Sequence, residues 1–562
     1  MTSVIHRVAV VGLGTMGAGI VEVFARAGLD VVAVEVDAAS LQRGRNHLAD
    51  STGRAMARGA LTGAEQAALT GRVEFTTDLP ALADVGLVVE AVPERLDLKH
   101  AIFARLDSVC SPATVLASNT SSLSVTELAA ATGRPGRVIG LHFFNPAPVM
   151  KLVEIVRGEL TEPGVVADVE ALVRSLGKVG VTVGDRAGFV ANALLFGYLN
   201  QAAAMVEDGG VSREEIDAAM RLAVGVPLGP LELLDLIGLD VGLEIMETLY
   251  RQTRERRHAP APVLSRLVAA GLLGRKTGRG FYTYAGPGSG SVAADRDTPP
   301  SPATGAGASA GVRGIGVVGA SHAAVALVQA ATAAGFDVVH VADDDPGVTT
   351  PAELTVCDVV IEASGGDAES ARARLGALDR MVEAPALLAT TSGAGPVIDV
   401  AVAAGRPERV VGLHVPGPAP DAPVVEVVTT VVTDPAAEVL ALNLVERLGR
   451  RAVRAPDRAG FVVDALLMPY LNDAVRMLER GYATADDIDA AMRFGCGYPV
   501  GPIALLDEIG LDVALSVQRR IHAEIGHAGL LPAVLLERLV SAGRIGRTTG
   551  RGLRSHNGSG ES

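Results

Sequence analysis

Apolar and polar positions along the chain fall into two regimes, and both regimes recur. RVAVV at 7–11 is an uninterrupted apolar run, as expected of a strand buried on both faces. A glycine-rich turn follows, then a helical stretch ending near Gly28, and VVAV at 31–34 is the next strand. Apolar runs at 85–89, 115–117, 138–141 and 152–156 alternate with helical stretches, which predicts a mostly parallel α/β sheet. From about Ala187 the strand signals give way to helical periodicity. An apolar helix is expected from Gly188, then one over 212–222 with Ser212 as N-cap and Glu214 and Glu215 in its first turn. The Gly229-Pro230 break starts further helices, so the second part is a helical domain.

The whole pattern occurs twice. GRKTGRG at 274–280 returns as GRTTGRG at 546–552, a shift of 272 residues. The same shift relates DRAGFVANALL (185–195) to DRAGFVVDALL (457–467), and GLH at 140–142 to GLH at 412–414. A constant offset over so long a stretch marks an internal duplication. Between the copies, 286–312 is rich in Gly, Ser, Ala and Pro and reads as a flexible linker. The expected organisation is an α/β domain at 1–184, a helical domain at 185–285, the linker at 286–312, a second α/β domain at 313–456 and a second helical domain at 457–562.

Composition narrows the function. With 562 residues one domain is excluded, and with 64 acidic against 49 basic residues no basic stripe offers itself to nucleic acid. Cys110, Cys357 and Cys496 are far apart, without metal-ligand spacing, which suits a reducing, cytoplasmic setting and no metal. No apolar run reaches membrane-spanning length, and the first residues pass straight into a strand without a secretory signal. The basic residues are 45 Arg and only four Lys (Lys99, Lys151, Lys178 and Lys276), all in the first copy.

Gly12-Leu-Gly14-Thr-Met-Gly17 directly follows a strand and opens a helix. The first glycine permits the turn, the second lets backbone approach a pyrophosphate, and the third allows close helix–strand packing. Glu35 ends the second strand, where it can accept both ribose hydroxyls and repel a 2′-phosphate. This predicts a Rossmann-type domain that binds NAD rather than NADP. In the second copy Gly319 matches Gly12, but Ser321, Ala324 and Ala342 replace Gly14, Gly17 and Glu35, so no NAD site is expected there.

Three further positions carry chemistry. His142 ends the strand VIGLH, and Glu154 lies within KLVEIV on the face of Leu152 and Val156, where an unpaired carboxylate would be expensive. His142 is the nearest partner in sequence, and imidazole oriented by a carboxylate is the usual general base near neutral pH. Asn192 is an isolated polar side chain on an apolar helix. The cluster Ser118-Asn119-Thr120-Ser121-Ser122 follows a strand at the carboxyl edge, where such sheets bind ligands.

GLGTMG, VVEAVPERLDLK (88–99), SNTSSL (118–123), GLHFFNPAPVMKLVE (140–154), DRAGFVANALL and GRKTGRGFY (274–282) resemble the motifs of the L-3-hydroxyacyl-CoA dehydrogenase family, in its order. The resemblance implies that His142 and Glu154 form the catalytic dyad, that Ser121 and Asn192 hold the substrate oxygen, and that Glu94 and Lys99 lie against the nicotinamide half of the cofactor. It implies NAD-dependent oxidation of a 3-hydroxyacyl-CoA to the 3-ketoacyl-CoA, as in β-oxidation. Arg54 and Arg58 are candidates for the CoA phosphates. In the second copy His414 and Glu426 keep their spacing, but Gly393 and Asp464 replace Ser121 and Asn192, which reads as a catalytic remnant with a structural role. Because helical domains of this family commonly pair, an intramolecular pseudo-dimer is expected, with further homo-oligomers open. Two alternatives stay open: a dehydrogenase of another 3-hydroxy acid on this scaffold, or a non-catalytic NAD-binding protein.

Overall fold

The structure is a computed structural model that describes residues 5–298, 311–342, 352–365, 368–383, 385–393, 395–417 and 422–556. The first sheet has eight strands: β1 (Arg7–Val11), β2 (Asp30–Val34), β3 (Val73–Thr76), β4 (Leu87–Glu90), β5 (Val115–Ser118), β6 (Val138–Phe143), β7 (Leu152–Arg157) and β8 (Val179–Gly184). Their order is β3-β2-β1-β4-β5-β6-β7-β8, parallel throughout except for the antiparallel pair β6/β7. The central strands are valine- and leucine-rich because helices cover both faces, leaving no solvent side to mark with polar alternation. β3 and β8 escape the sequence reading for the opposite reason: both carry polar or glycine residues and are only partly buried.

Strands β9 (Thr283–Tyr284) and β10 (Val292–Ala293) pair antiparallel. The second sheet contains β11 (Gly314–Val318), β12 (Asp337–Val341), β13 (Val359–Glu362), β14 (Leu387–Thr390), β15 (Val410–His414), β16 (Val424–Thr429) and β17 (Arg451–Pro456). Its order, β12-β11-β13-β14-β15-β16-β17, repeats the first sheet, with no counterpart of β3 among the described residues.

Each sheet is followed by helices at matching positions. Ala191–Asp208, Arg213–Val224, Pro230–Ile237 and Leu239–Thr253 correspond to Val463–Glu479, Ala485–Gly495, Pro502–Ile509 and Leu511–Ile525. Ser212 caps its helix in a reciprocal box with Glu215, as the sequence predicts. The preceding helix starts at Ala191 rather than Gly188, because Gly188 and Phe189 both adopt left-handed backbone. The GRKTGRGFY segment wraps the buried Asp235, which accepts from the Phe281 and Tyr282 amides and the Tyr284 hydroxyl. The expected linker also differs in its first part, since β10 lies within it and Asp295 pairs with Arg213 at 2.6 Å. Its residues 299–310 lie outside the described residues.

The chain divides into two compact units that do not follow the copies. One comprises Met1–Leu195, Arg251–Arg254 and Met477–Pro502; the other comprises Phe196–Tyr250, Glu255–Arg476 and Ile503–Ser562. Within the first unit the second copy's helix Ala485–Gly495 packs on β7 and β8. Within the second unit the first copy's helix Arg213–Val224 packs on β16 and β17. No helix among the described residues is long and apolar enough to cross a membrane.

Candidate active site

The carboxyl ends of β1, β2, β4, β5 and β6 bring the sequence motifs to one edge of the first sheet. Gly12 turns the chain with φ +92°, and a Cβ there would lie 2.9 Å from the Ala91 carbonyl oxygen. A Cβ on Gly17 would lie 1.8 Å from the Gly12 carbonyl oxygen, so the loop closes only on glycine. Gly14 caps the helix Thr15–Arg26 with extended backbone and places no side chain on its first amides. Open space surrounds the position of its missing Cβ. That is the cradle a pyrophosphate needs. Glu35 stands at the end of β2 and accepts from the Leu13 amide at 2.6 Å, tying the acid to the loop.

The antiparallel register sets His142 directly opposite Glu154. His142 Nδ1 lies 2.8 Å from Glu154 Oε2, and His142 Nε2 lies 3.2 Å from Ser121 Oγ. Glu154 is 0% exposed and His142 4%. A buried carboxylate needs several donors, and the Val190 and Ala191 amides supply them to Glu154 Oε1 at 3.1 and 3.0 Å. Gly188 (φ +71°) and Phe189 (φ +46°) make the turn that aims those amides. A bulky residue at positive φ is strained, and such strain collects at functional sites. Phe144 and Phe189 flank the imidazole, with ring centroids 4.6 and 5.6 Å away. Asn192 stands in the first turn of the same helix, half-buried and without a side-chain hydrogen bond among the described residues.

Glu94 organises the Ser121 loop. It accepts from the Thr120 hydroxyl at 2.5 Å and from the Ser121 and Ser122 amides at 2.9 and 3.1 Å. Burial alone would raise this carboxyl, but Lys99, Thr120 and Ser121 outweigh it and hold it below its usual range. The Lys99 ammonium is fully buried, 2.7 Å from Glu90 and 3.3 Å from Glu94. It supports the site from beneath. Arg54 and Arg58 are exposed at the end of the helix Ala38–Ala57, with no ion pair among the described residues.

Sequence reasoning missed Glu90, Asp185 and Gln252. Glu90 is buried with the Ser118 hydroxyl 2.7 Å away; its only signal was a charge ending an apolar strand. Asp185 caps the helix Val125–Ala130 through the Val125 and Thr126 amides. Gln252 donates to the Ser122 carbonyl at 3.0 Å, a contact between residues too far apart in sequence to be read.

In the second copy the dyad survives, with His414 Nδ1 2.6 Å from Glu426 Oε2, but Nε2 faces Asp464 at 3.5 Å. Burial works against charge on His414, yet Glu426 and Asp464 outweigh it and lift the imidazole above its usual range. At the cofactor loop Ser321 accepts from the Ala324 amide at 3.2 Å and donates to the Ala363 carbonyl. No group of three or more His, Cys, Asp or Glu residues able to hold a metal occurs among the described residues.

Sheet, glycine loop and acidic strand end together define a nicotinamide-dependent dehydrogenase fold. The family described as 3-hydroxyacyl-CoA dehydrogenase, NAD binding domain, matches residues 7–186 and 337–458, and its C-terminal domain matches 188–284 and 460–556. The chain belongs to the 3-hydroxyacyl-CoA dehydrogenase family, as an NAD-dependent oxidoreductase duplicated in tandem. It is 48% identical over 286 residues to a 3-hydroxybutyryl-CoA dehydrogenase of Mycobacterium tuberculosis, covering half of this chain and all of that one. Over 533 residues, 95% of this chain and 97% of the other, it is 32% identical to a 3-hydroxyadipyl-CoA dehydrogenase of Escherichia coli. The crystal structure of a 3-hydroxybutyryl-CoA dehydrogenase from Escherichia coli K12 matches 96% of this chain and 99% of that one, with a TM-score of 0.73 and 31% identity.

Proposed function

We propose that the first copy oxidises the 3-hydroxyl of a short L-3-hydroxyacyl-CoA and that the second copy is structural. The hydrogen-bonded line Ser121–His142–Glu154 beside a glycine loop with uncovered amides carries this reading. Gly12, Gly14, Gly17 and Glu35 fit NAD, which supplies the hydride acceptor when bound. His142 Nε2 takes the proton of the 3-hydroxyl. Glu154, fixed by His142 and two backbone amides, stabilises the resulting imidazolium and holds the ring in one orientation. Ser121 and Asn192, the latter with an unspent amide, donate to the developing carbonyl oxygen. Glu94 holds the Ser121 loop, and Arg54 and Arg58 suit the CoA phosphates as cations without acidic partners among the described residues. Cytoplasmic placement accords with the free cysteines.

The Escherichia coli relative that spans both copies favours a second reading for the substrate, a six-carbon dicarboxylic chain. NADH oxidation with acetoacetyl-CoA, longer 3-ketoacyl-CoAs and 3-oxoadipyl-CoA separates the two. Replacing His142 by Ala is expected to lower kcat by about 10²–10⁴-fold on the preferred substrate. Unchanged activity in that variant would overturn the site.

The second copy's structural role is an intramolecular pseudo-dimer. It is supported by the reciprocal packing of Ala485–Gly495 on β7 and β8, and of Arg213–Val224 on β16 and β17. One chain then satisfies a contact that two identical subunits would otherwise make.

A further inference from the structure

The second copy sends the helix Ala485–Gly495 onto the back of the strand that carries Glu154. Its two ends touch the two supports of the dyad. At the C-terminal end, Gly495 lies so close that a Cβ would meet Leu152 Cδ2 at 2.6 Å, with Phe144 Cε1 in ordinary contact at 3.5 Å. Phe144 is the ring that packs at a tilt on His142. Just before the helix, Tyr482 donates its hydroxyl to the Gly184 carbonyl at 2.8 Å, and Arg186 covers its ring at 5.2 Å. Residues 184–186 lead into the Gly188–Phe189 turn that aims two amides at Glu154. Cys496 and Tyr482 both feel the Glu154 charge: burial first, and then Glu154, push the Cys496 thiol up to about 12 and raise the Tyr482 phenol.

The contact is not symmetric. The residues 272 positions earlier, which face the second sheet, are Gly210, Ala223 and Val224. There Gly210 only approaches the Pro456 side chain, at 3.9 Å from its missing Cβ, and no phenol is present to bond the strand end. The tyrosine and the close-approach glycine therefore occur only on the helix that serves the sheet with the complete site. Gly495 closes its helix where Leu152 crowds the place of a Cβ, so a residue without one has a local reason there.

We propose that Tyr482 and Gly495 of the second copy are positioning residues for the dyad of the first, Gly495 through Leu152 to the strand that carries Glu154 and Tyr482 through the 184–191 turn to Glu154. The inference rests on the dehydrogenase reading above. It gives the degenerate copy a defined catalytic service: the first site is incomplete without it. Misplacing a base by a fraction of an ångström acts on kcat rather than on cofactor affinity.

The test uses full-length protein, acetoacetyl-CoA and NADH. Gly495→Ala is expected to lower kcat by about tenfold to a hundredfold and to shift the pH profile of kcat. The NADH dissociation constant by fluorescence should stay within about twofold, because the cofactor loop is untouched. Adding Leu152→Ala to Gly495→Ala removes the atom that the new methyl meets and should restore much of kcat. Tyr482→Phe, which deletes only the hydroxyl, should lower kcat in the same direction with the melting temperature nearly unchanged, and it carries the test alone if Gly495→Ala does not fold. Ala223→Gly on the first copy's helix should leave kcat as it is. Folded variants at Gly495 and Tyr482 with wild-type kcat and pH profile would overturn the proposal. So would a loss of kcat that only tracks lost folded protein. Absence of turnover in the wild type would instead overturn the underlying dehydrogenase reading.

Discussion

Glu154 can remain buried because three donors converge on it, the imidazole and two amides aimed by a strained turn. The same carboxylate is kept as Glu426 in the second copy, with the same two-amide support from Val462 and Val463. What separates the copies lies in single residues around that frame. A Cβ at Gly17 would sit 1.8 Å from the Gly12 oxygen, whereas the second copy has Ala324 there, on a helix capped by Ser321. Fluorescence titration of the full chain should therefore find one NADH site, and Gly17→Ala should abolish it. A site that survives the substitution would place cofactor binding in the second copy.

At the scale of elements, the buried Lys99–Glu90 pair fastens the helix Leu96–Val109 to the end of β4. In the second copy Ala371 replaces Lys99; Glu362 keeps the hydroxyl and amide contacts that Ser118 and Val92 make to Glu90, here from Thr390 and Ser364, and the Ser364 hydroxyl donates in place of the ammonium. Removing one partner of a buried pair strands the other, so Lys99→Met should cost about 3–5 kcal/mol, read from denaturant unfolding. A loss below about 1 kcal/mol would mean that the remaining donors carry Glu90 without the ammonium. The lysine count becomes intelligible here. Lys99 holds a carboxylate pair, while Lys178 holds the Ala147 and Met150 carbonyls of the loop between β6 and β7, each at 2.7 Å.

For the whole molecule, each unit draws residues from both copies, so the halves are joined by packing as well as by the chain between them. Gln201 donates to the Ala465 carbonyl, and Arg257 pairs with Asp473, so contacts between copies also run through the second unit. A chain ending at residue 298 would leave β7 and β8 without their covering helix. Light scattering of that truncated chain should show association or aggregation, with reduced turnover per site. A well-behaved monomer with full-chain turnover would remove the case for the pseudo-dimer.

The duplication, the alternation of buried strands with helices, the glycine loop and the His142–Glu154 register were legible in the sequence, because each is a local or periodic pattern. A strand buried on both faces must be apolar, and a loop that approaches phosphate must lack Cβ atoms, whatever surrounds them. The burial of Lys99, the amides aimed at Glu154 and the service of Tyr482 and Gly495 to a site hundreds of residues away were decided only by tertiary packing. Such contacts join residues whose separation along the chain carries no periodic signal, and their energies depend on which groups burial leaves within reach.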